Sequence, residues 1–85
     1  MHYVYVLQSK NNQSLYIGYT DNIKRRILEH NRQENFSTKP YAPWKLIFFE
    51  GYLELKDAKR REKYLKTNQG SRLLKRMLKE FFWKN

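Results

Sequence analysis

Cysteine is absent from this 85-residue sequence, glycine and proline are scarce, and apolar runs are short. Without cysteine, neither a disulfide framework nor a thiolate metal site can stabilise the fold. No apolar run approaches the roughly 18 residues of a membrane-spanning helix, and the N-terminus lacks the pattern of a signal peptide. We therefore expect one soluble domain over residues 1–85, without a membrane span and located in the cytoplasm.

Aromatic residues and positive charge are abundant. Phe, Tyr and Trp make up 16% of the chain, enough for a small aromatic core. Eighteen Lys and Arg residues against eight Asp and Glu give a net charge of +10, and more than half of the basic residues lie within 54–85. Such a field attracts polyanions, which predicts a nucleic-acid partner. A solvated surface that only keeps a small protein soluble is the alternative.

The first twenty residues have the pattern of a β-hairpin. Residues 3–8 are rich in β-branched and aromatic side chains, and residues 15–20 alternate with period two. A polar cluster over residues 9–14 separates them, so the two segments are predicted to pair as antiparallel strands. In that pairing Tyr5 and Tyr16 are expected to share a face of the sheet.

A capped helix follows the hairpin. Residues 20–22 are all good N-cap residues, so a helix is predicted from about Asn22 to Gln33. Ile23, Arg26, Ile27 and His30 fall on one stripe of that helix. Because this stripe should face the protein, its Arg and His are expected to point inward, towards the tyrosines of the hairpin.

The second half predicts a strand and two helices. Trp44 to Tyr52 contains a nearly continuous apolar run, typical of a central strand covered on both faces. A second helix is predicted from residue 53 or 54 to about residue 69, with Gly70 as its C-terminal stop. A third, amphipathic helix is predicted from Ser71 to Phe82. The resulting order is β-β-α-β-α-α.

Glu62 is the anomaly of the second helix. It lies on the same stripe as the apolar residues Leu55, Ala58 and Leu65. An unpartnered buried carboxylate costs several kcal/mol, unless it meets a cation or takes up a proton. Glu62 is therefore expected to pair with an inward cation such as Arg26, to coordinate Mg²⁺ or Mn²⁺, or to do both. A plain buried Glu–Arg pair is the structural alternative.

These residues form a recognisable set of motifs. Tyr3-Val4-Tyr5, a gap of ten residues and Tyr16-Ile17-Gly18 are followed by Arg26, His30 and Glu62. The set resembles the GIY-YIG nuclease family, and within it the small stand-alone bacterial members related to the N-terminal domain of the excision-repair incision subunit. The resemblance covers roughly residues 3–80. The first motif begins with Tyr3 where the family name has glycine.

The resemblance implies a small α/β (α+β) fold, a three-stranded antiparallel sheet flanked by helices. It also implies hydrolysis of DNA phosphodiester bonds in repair or processing, with one Mg²⁺ or Mn²⁺ ion. Either Tyr5 or Tyr16 would help activate the attacking water. Arg26 would stabilise the phosphorane charge, and His30 would hydrogen-bond a tyrosine or relay a proton. Glu62 would hold the metal.

Gly18 would allow a close approach of the backbone, as glycine in a strand often does. Basic residues of the later helices would contact phosphates, which positions DNA without selecting bases: Lys59, Arg60, Lys63, Lys66 and Arg72. DNA is favoured over RNA as the partner. The alternatives are a nucleic-acid-binding module with little activity of its own, dependent on a partner protein for targeting, and a basic domain that binds RNA or an acidic protein.

Overall fold

The computed structural model describes residues 1–84 and has an α+β fold. Its three-stranded antiparallel sheet with flanking helices confirms the expected architecture. Asn85, the last residue of the predicted domain, lies outside the described residues. No helix within residues 1–84 is long and apolar enough to cross a membrane. In chain order the elements are β1 (His2–Ser9), β2 (Leu15–Thr20), α1 (Ile23–Asn31), a 3₁₀ turn (Lys39–Tyr41), β3 (Trp44–Tyr52), α2 (Leu55–Leu65), α3 (Asn68–Met77) and α4 (Lys79–Trp83).

The central strand is β1 and not β3, because the strand order is β2-β1-β3. The prediction of a central β3 is therefore wrong. Its apolar run has another cause: the pairing with β1 shifts between Val6 and Leu7, so that Ile47 is left out of the ladder as a bulge. The bulge resets the alternation of faces by one residue. Apolar side chains can then follow one another without both faces being covered, and Phe49 is 53% exposed.

The two faces of the sheet carry different helices. On one face, which we call the α2 face, Val4 packs against Ala58 and Leu65 of α2. On the other, the α1 face, Tyr5 and Leu7 lie in a cluster to which α1 contributes Ile27. The sheet therefore separates α1 from α2. The free edge of β2 lies between the two helices, so side chains of both can reach it.

The last two predicted helices are connected differently from the prediction. Gly70 does not end α2 but lies in the first turn of α3, where its N–H donates to the side chain of the N-cap residue Thr67 over 3.0 Å. A Cβ on Gly70 would overlap the carbonyl oxygen of Tyr64, so glycine is needed for close contact between the two helices. The predicted third helix is also broken at Leu78, which gives the additional helix α4.

Candidate active site

Tyr5 is the centre of a buried polar cluster on the α1 face. Its Oη lies 3.0 Å from Nε2 of His30 and accepts a hydrogen bond from Nε of Arg26 over 3.3 Å. Tyr5 is 1% exposed and His30 is fully buried. Arg26 and His30 lie four residues apart on α1, which places both side chains over the same point of the sheet. The tyrosine, the arginine and the histidine selected from the sequence therefore meet.

Gly18 makes room for this tyrosine. It is the register partner of Tyr5 on β2, and a Cβ at position 18 would lie 2.5 Å from the Tyr5 Oη. The close approach expected at Gly18 is thus made by a phenol ring of the protein itself.

Tyr16 pairs with Leu7 and lies on the same face as Tyr5, as expected from the hairpin pattern. Its ring centroid is 6.1 Å from that of Tyr5 and 4.9 Å from that of His30. Unlike Tyr5, Tyr16 is only half-buried, and it borders a cavity of about 310 Å³. Tyr16 is therefore the more accessible of the two phenols.

Burial determines the protonation of the cluster. Desolvation raises the pKa of Tyr5 to about 12, although the hydrogen bond from Arg26 acts in the opposite direction. Desolvation, together with repulsion from the Arg26 cation, lowers the pKa of His30 to about 4. At neutral pH the phenol is therefore protonated and the imidazole is neutral. Arg26 alone does not make Tyr5 a base at neutral pH.

Arg26 has a carboxylate partner that the sequence reasoning missed. Its Nη1 lies 2.8 Å from Oε1 of Glu29, and both side chains are 30% exposed. The hydrogen bond to Glu29 raises the pKa of Arg26 further, and it lowers the pKa of Glu29. Pairing with Arg26 was one of the alternatives expected for Glu62, and the structure does not show it. Arg26 pairs instead with Glu29, three residues away on the same helix.

Glu62 lies on α2 and hence on the other side of the sheet. Its side chain is 16% exposed, and its carboxylate pairs with Lys66, the C-cap residue of α2, at 3.1 Å and with Lys59 of α2 at 3.8 Å. The ammonium group of Lys59 also lies 4.3 Å from the ring centroid of Tyr19, on β2. Tyr19 in turn lines a surface cavity together with Arg26. Glu62 and Arg26 thus flank the same free edge of the sheet.

Thr38 is a further member of the buried cluster that sequence reasoning did not find. Its Oγ1 lies 2.7 Å from Nδ1 of His30, and the residue is 1% exposed. Thr38 belongs to the irregular connection between α1 and β3, where no periodicity indicates which side chains point inward. A buried polar partner was nevertheless to be expected, since a buried imidazole needs hydrogen bonds on both nitrogens.

Residues 1–76 match the profile described as the GIY-YIG catalytic domain. The chain belongs to the GIY-YIG family. It therefore carries a domain of a nuclease family, whose members act on nucleic acid and generally depend on a divalent metal.

Similar proteins are small members of the same family. A UPF0213 protein of Staphylococcus haemolyticus is 40% identical over 75 residues, which cover 87% of this chain and 90% of the relative. A UPF0213 protein of Clostridium perfringens is 40% identical over 67 residues, covering 78% and 71% of the two chains. The NMR structure of a UPF0213 protein from Bacillus halodurans has a TM-score of 0.56 and 29% identity, and covers 89% of this chain and 83% of that one.

The carboxylates of this GIY-YIG domain limit how a metal could be bound. Within residues 1–84, no three His, Asp or Glu side chains form a group able to hold an ion. A single carboxylate is nevertheless compatible with Mg²⁺ or Mn²⁺, since such ions keep several waters and accept hard oxygen ligands. Of the predicted residues, Glu62 is the carboxylate that fits this description.

The five basic residues predicted to contact nucleic acid are all exposed, on α2, at its C-cap and on α3: Lys59, Arg60, Lys63, Lys66 and Arg72. Lys59 and Lys66 flank Glu62 through their ion pairs. Arg60 pairs with Asp57 over 2.9 Å. Lys59 and Lys66 are therefore the members that the structure places beside Glu62.

Proposed function

We propose that this chain is an endonuclease that hydrolyses phosphodiester bonds of DNA with the help of one Mg²⁺ or Mn²⁺ ion. The observation that carries the proposal is the convergence of Tyr5, Tyr16, Arg26 and His30 on one face of a GIY-YIG domain. Phosphodiester hydrolysis needs an oriented nucleophile and neutralisation of the developing charge. The cluster contains groups suited to both tasks.

Tyr16 is our candidate for the residue that activates the attacking water. Tyr5 is a poor candidate, because it is buried and its pKa is raised to about 12. Tyr16 lies beside it, reaches the surface and borders the cavity of about 310 Å³. In this assignment Tyr5 orients groups within the cluster, and Tyr16 contacts the substrate.

Arg26 is our candidate for stabilising the negative charge of the pentavalent phosphorus. Its Nε is fixed on Tyr5 and its Nη1 on Glu29, so the guanidinium is oriented before substrate binds. With 30% of its side chain exposed, it still faces solvent at the edge of β2. A charge that is already oriented needs little reorganisation during the reaction, which makes such a residue effective.

Glu62 is our candidate for the metal ligand. The bound ion would supply charge neutralisation at the phosphate and a more acidic water. The ammonium groups that now pair with Glu62 belong to Lys59 and Lys66, which are more than half exposed. Because exposed ion pairs are weak, both lysines are free to turn to phosphate oxygens instead.

The DNA strand is proposed to run along the free edge of β2, between Arg26 and Glu62. The other predicted basic contacts, Arg60, Lys63 and Arg72, extend the positive surface along the later helices. We assign the activity to DNA repair or processing in the cytoplasm, with a partner protein for targeting. The support for this assignment is the resemblance of the motifs to those of the incision subunit.

The proposal is tested by incubating the purified protein with labelled duplex, single-stranded, flap and branched DNA, with Mg²⁺, Mn²⁺ or EDTA. Wild type is expected to cut at least one DNA only when metal is present. Tyr16→Phe, Arg26→Met and Glu62→Gln are each expected to lower the rate by about 10²-fold or more, typical of lost transition-state contacts. Binding to uncut DNA is measured in parallel.

Two matched variants serve as controls. Tyr64→Phe removes a phenol oxygen from the exposed side of α2, and Glu54→Gln neutralises a carboxylate that makes no capping hydrogen bond at the start of α2. Both are expected to cut like wild type. Salt-sensitive binding without cleavage of any DNA would instead support the binding module. Equal cleavage by wild type and Tyr16→Phe would refute the assigned site.

A further inference from the structure

The connection between α1 and β3 holds Thr38 in a fixed, buried position. Nε1 of Trp44 donates to the Thr38 carbonyl oxygen over 3.0 Å, and the Ser9 hydroxyl donates to the carbonyl oxygen of Tyr41 over 2.7 Å. The connection is thereby tied to β1 and to β3. Its buried hydroxyl group at position 38 lies 2.7 Å from Nδ1 of His30, which makes this a short hydrogen bond.

The direction of this hydrogen bond follows from the other group near the hydroxyl. The carbonyl oxygen of Asn35 is 3.4 Å from the Thr38 Oγ1, long for a hydroxyl donor. That oxygen already accepts two backbone N–H groups, from Thr38 over 3.2 Å and from Lys39 over 2.9 Å. The Thr38 hydroxyl group therefore donates its hydrogen bond to Nδ1 of His30, and Nδ1 is the acceptor.

A neutral imidazole that accepts at Nδ1 carries its hydrogen on Nε2. That hydrogen is then donated to the Tyr5 Oη, 3.0 Å away. Since Nε of Arg26 donates to the same oxygen, both its acceptor positions are used. The hydroxyl hydrogen of Tyr5 is then left for another acceptor, and the ring centroid of the neighbouring phenol, Tyr16, is 6.1 Å from that of Tyr5. After desolvation, a hydrogen bond to Tyr16 is among the causes that raise the pKa of Tyr5, as expected if Tyr5 is the donor.

We propose that Thr38 is a positioning residue: by donating to Nδ1 of His30 it sets the imidazole tautomer and directs the hydroxyl group of Tyr5 towards Tyr16. The inference rests on the proposed function, because it concerns the phenol assigned to activate water. A hydrogen bond donated to the Tyr16 oxygen stabilises negative charge there, as a base requires. Thr38, in the connection between α1 and β3, thus acts on Tyr16 through His30 and Tyr5.

The tautomer is measured by ¹⁵N NMR of the imidazole nitrogens at pH 7, since protonated and bare nitrogens have widely separated shifts. Wild type is expected to show hydrogen on Nε2 and none on Nδ1 of His30. Thr38→Val should remove the hydrogen-bond shift of Nδ1 and introduce the second tautomer. Thr38→Ser should keep the wild-type spectrum. Hydrogen on Nδ1 in wild type would overturn the proposal.

Cleavage kinetics supply the second readout. Thr38→Val is expected to lower kcat about tenfold with little change in KM, the effect of one hydrogen bond, and Thr38→Ser to restore it. Ser9→Ala is the matched control, because it removes another buried hydroxyl group that anchors the same connection, through Tyr41. It should lose stability, because the Ser9 Oγ also accepts from the backbone N–H groups of Asn11 and Asn12, but it should retain kcat and the tautomer of His30.

The two readouts separate the two hypotheses. Suppose that wild type cuts no DNA, that its His30 carries hydrogen on Nε2, and that Thr38→Val loses this preference. The proposed function then fails, but the direction of the Thr38–His30 hydrogen bond is confirmed. If wild type cuts DNA and Thr38→Val cuts equally well, the positioning role is refuted and the nuclease is not. Equal losses of kcat in Thr38→Val and Ser9→Ala would likewise reduce Thr38 to a structural residue.

Discussion

Gly18→Ala is the substitution for which the structure makes the sharpest prediction. The added Cβ would lie 2.5 Å from Oη, 2.6 Å from Cζ and 2.9 Å from Cε1 of Tyr5, whereas ordinary contacts begin at 3.4 Å. The phenol cannot move aside without losing its contacts with Arg26 and His30. Overpacking of a core costs about 1–3 kcal/mol, and each lost hydrogen bond costs about 1 kcal/mol.

Part of this cost is offset, because alanine restricts the unfolded chain and Gly18 does not have a positive φ. We therefore expect a net loss of about 2–3 kcal/mol, which lowers Tm by about 10–20 °C in a domain of this size. Urea unfolding and calorimetry of the two proteins measure it. In a Tyr5→Leu background, Gly18→Ala should cost at least about 1 kcal/mol less, since the two sites then no longer clash.

Gly51→Ala is the matched control for this prediction. Gly51 is a strand glycine on the same sheet, and its added Cβ would meet Met1 at 3.1 Å and 3.3 Å and Tyr3 at 3.3 Å. Because the Met1 side chain is flexible and exposed, we expect Gly51→Ala to stay within about 0.5 kcal/mol of wild type. Similar losses for the two alanine variants would refute the claim that the Tyr5 ring determines the residue at position 18.

Three further predictions concern other parts of the chain. Lowering the pH from 6.5 to 4 should reduce the free energy of unfolding by about 3 kcal/mol, because in this range the imidazole of His30 takes up a proton mainly in the unfolded chain. Urea unfolding of wild type and His30→Gln at a series of pH values measures this loss. Gly70→Ala should lower Tm at least as much as Gly18→Ala, since its Cβ would overlap the backbone of Tyr64. Lys59→Met should reduce the slope of log K against log salt for DNA binding by about 1, whereas Lys45→Met should not.

Each of these has an outcome that would count against it. A His2→Gln variant should keep the full pH dependence; if it loses the dependence instead, the titrating group is not His30. A Gly70→Ala protein as stable as wild type would mean that α2 and α3 can move apart freely. Equal salt slopes for wild type and Lys59→Met would show that DNA does not contact the side of α2 that carries Glu62.

The hairpin and α1 were predictable because local signals determine them. Period-two alternation, the polar turn and the cap at Asn22 all act over a few residues, and the Asn22 side chain does accept from the backbone N–H of Arg25. The inward stripe that brings Arg26 and His30 to Tyr5 follows from helical geometry alone. This part of the site could therefore be derived from spacing.

The errors concern long-range packing. The apolar run of β3 indicated a central strand, but its bulge, which depends on the partner strand, accounts for that run. Gly70 has the residue type of a helix stop, yet its role depends on the contact between two helices. The partner of Arg26 is Glu29 and not Glu62. This could not be predicted, because the sequence does not show that Glu62 lies on the opposite face of the sheet. Thr38 was missed since irregular segments have no periodicity.

The bulge at Ile47 also has a consequence for the exposed edge of the sheet. β3 is nine residues long, contains the densest apolar segment of the chain and has one unpaired edge. Such an edge is a template on which a second chain can add a strand and start a fibril. A residue outside the regular ladder interrupts the straight, evenly spaced row of donors and acceptors that templating needs. We therefore expect the bulge at Ile47 to disfavour the addition of a second chain at this edge of the sheet.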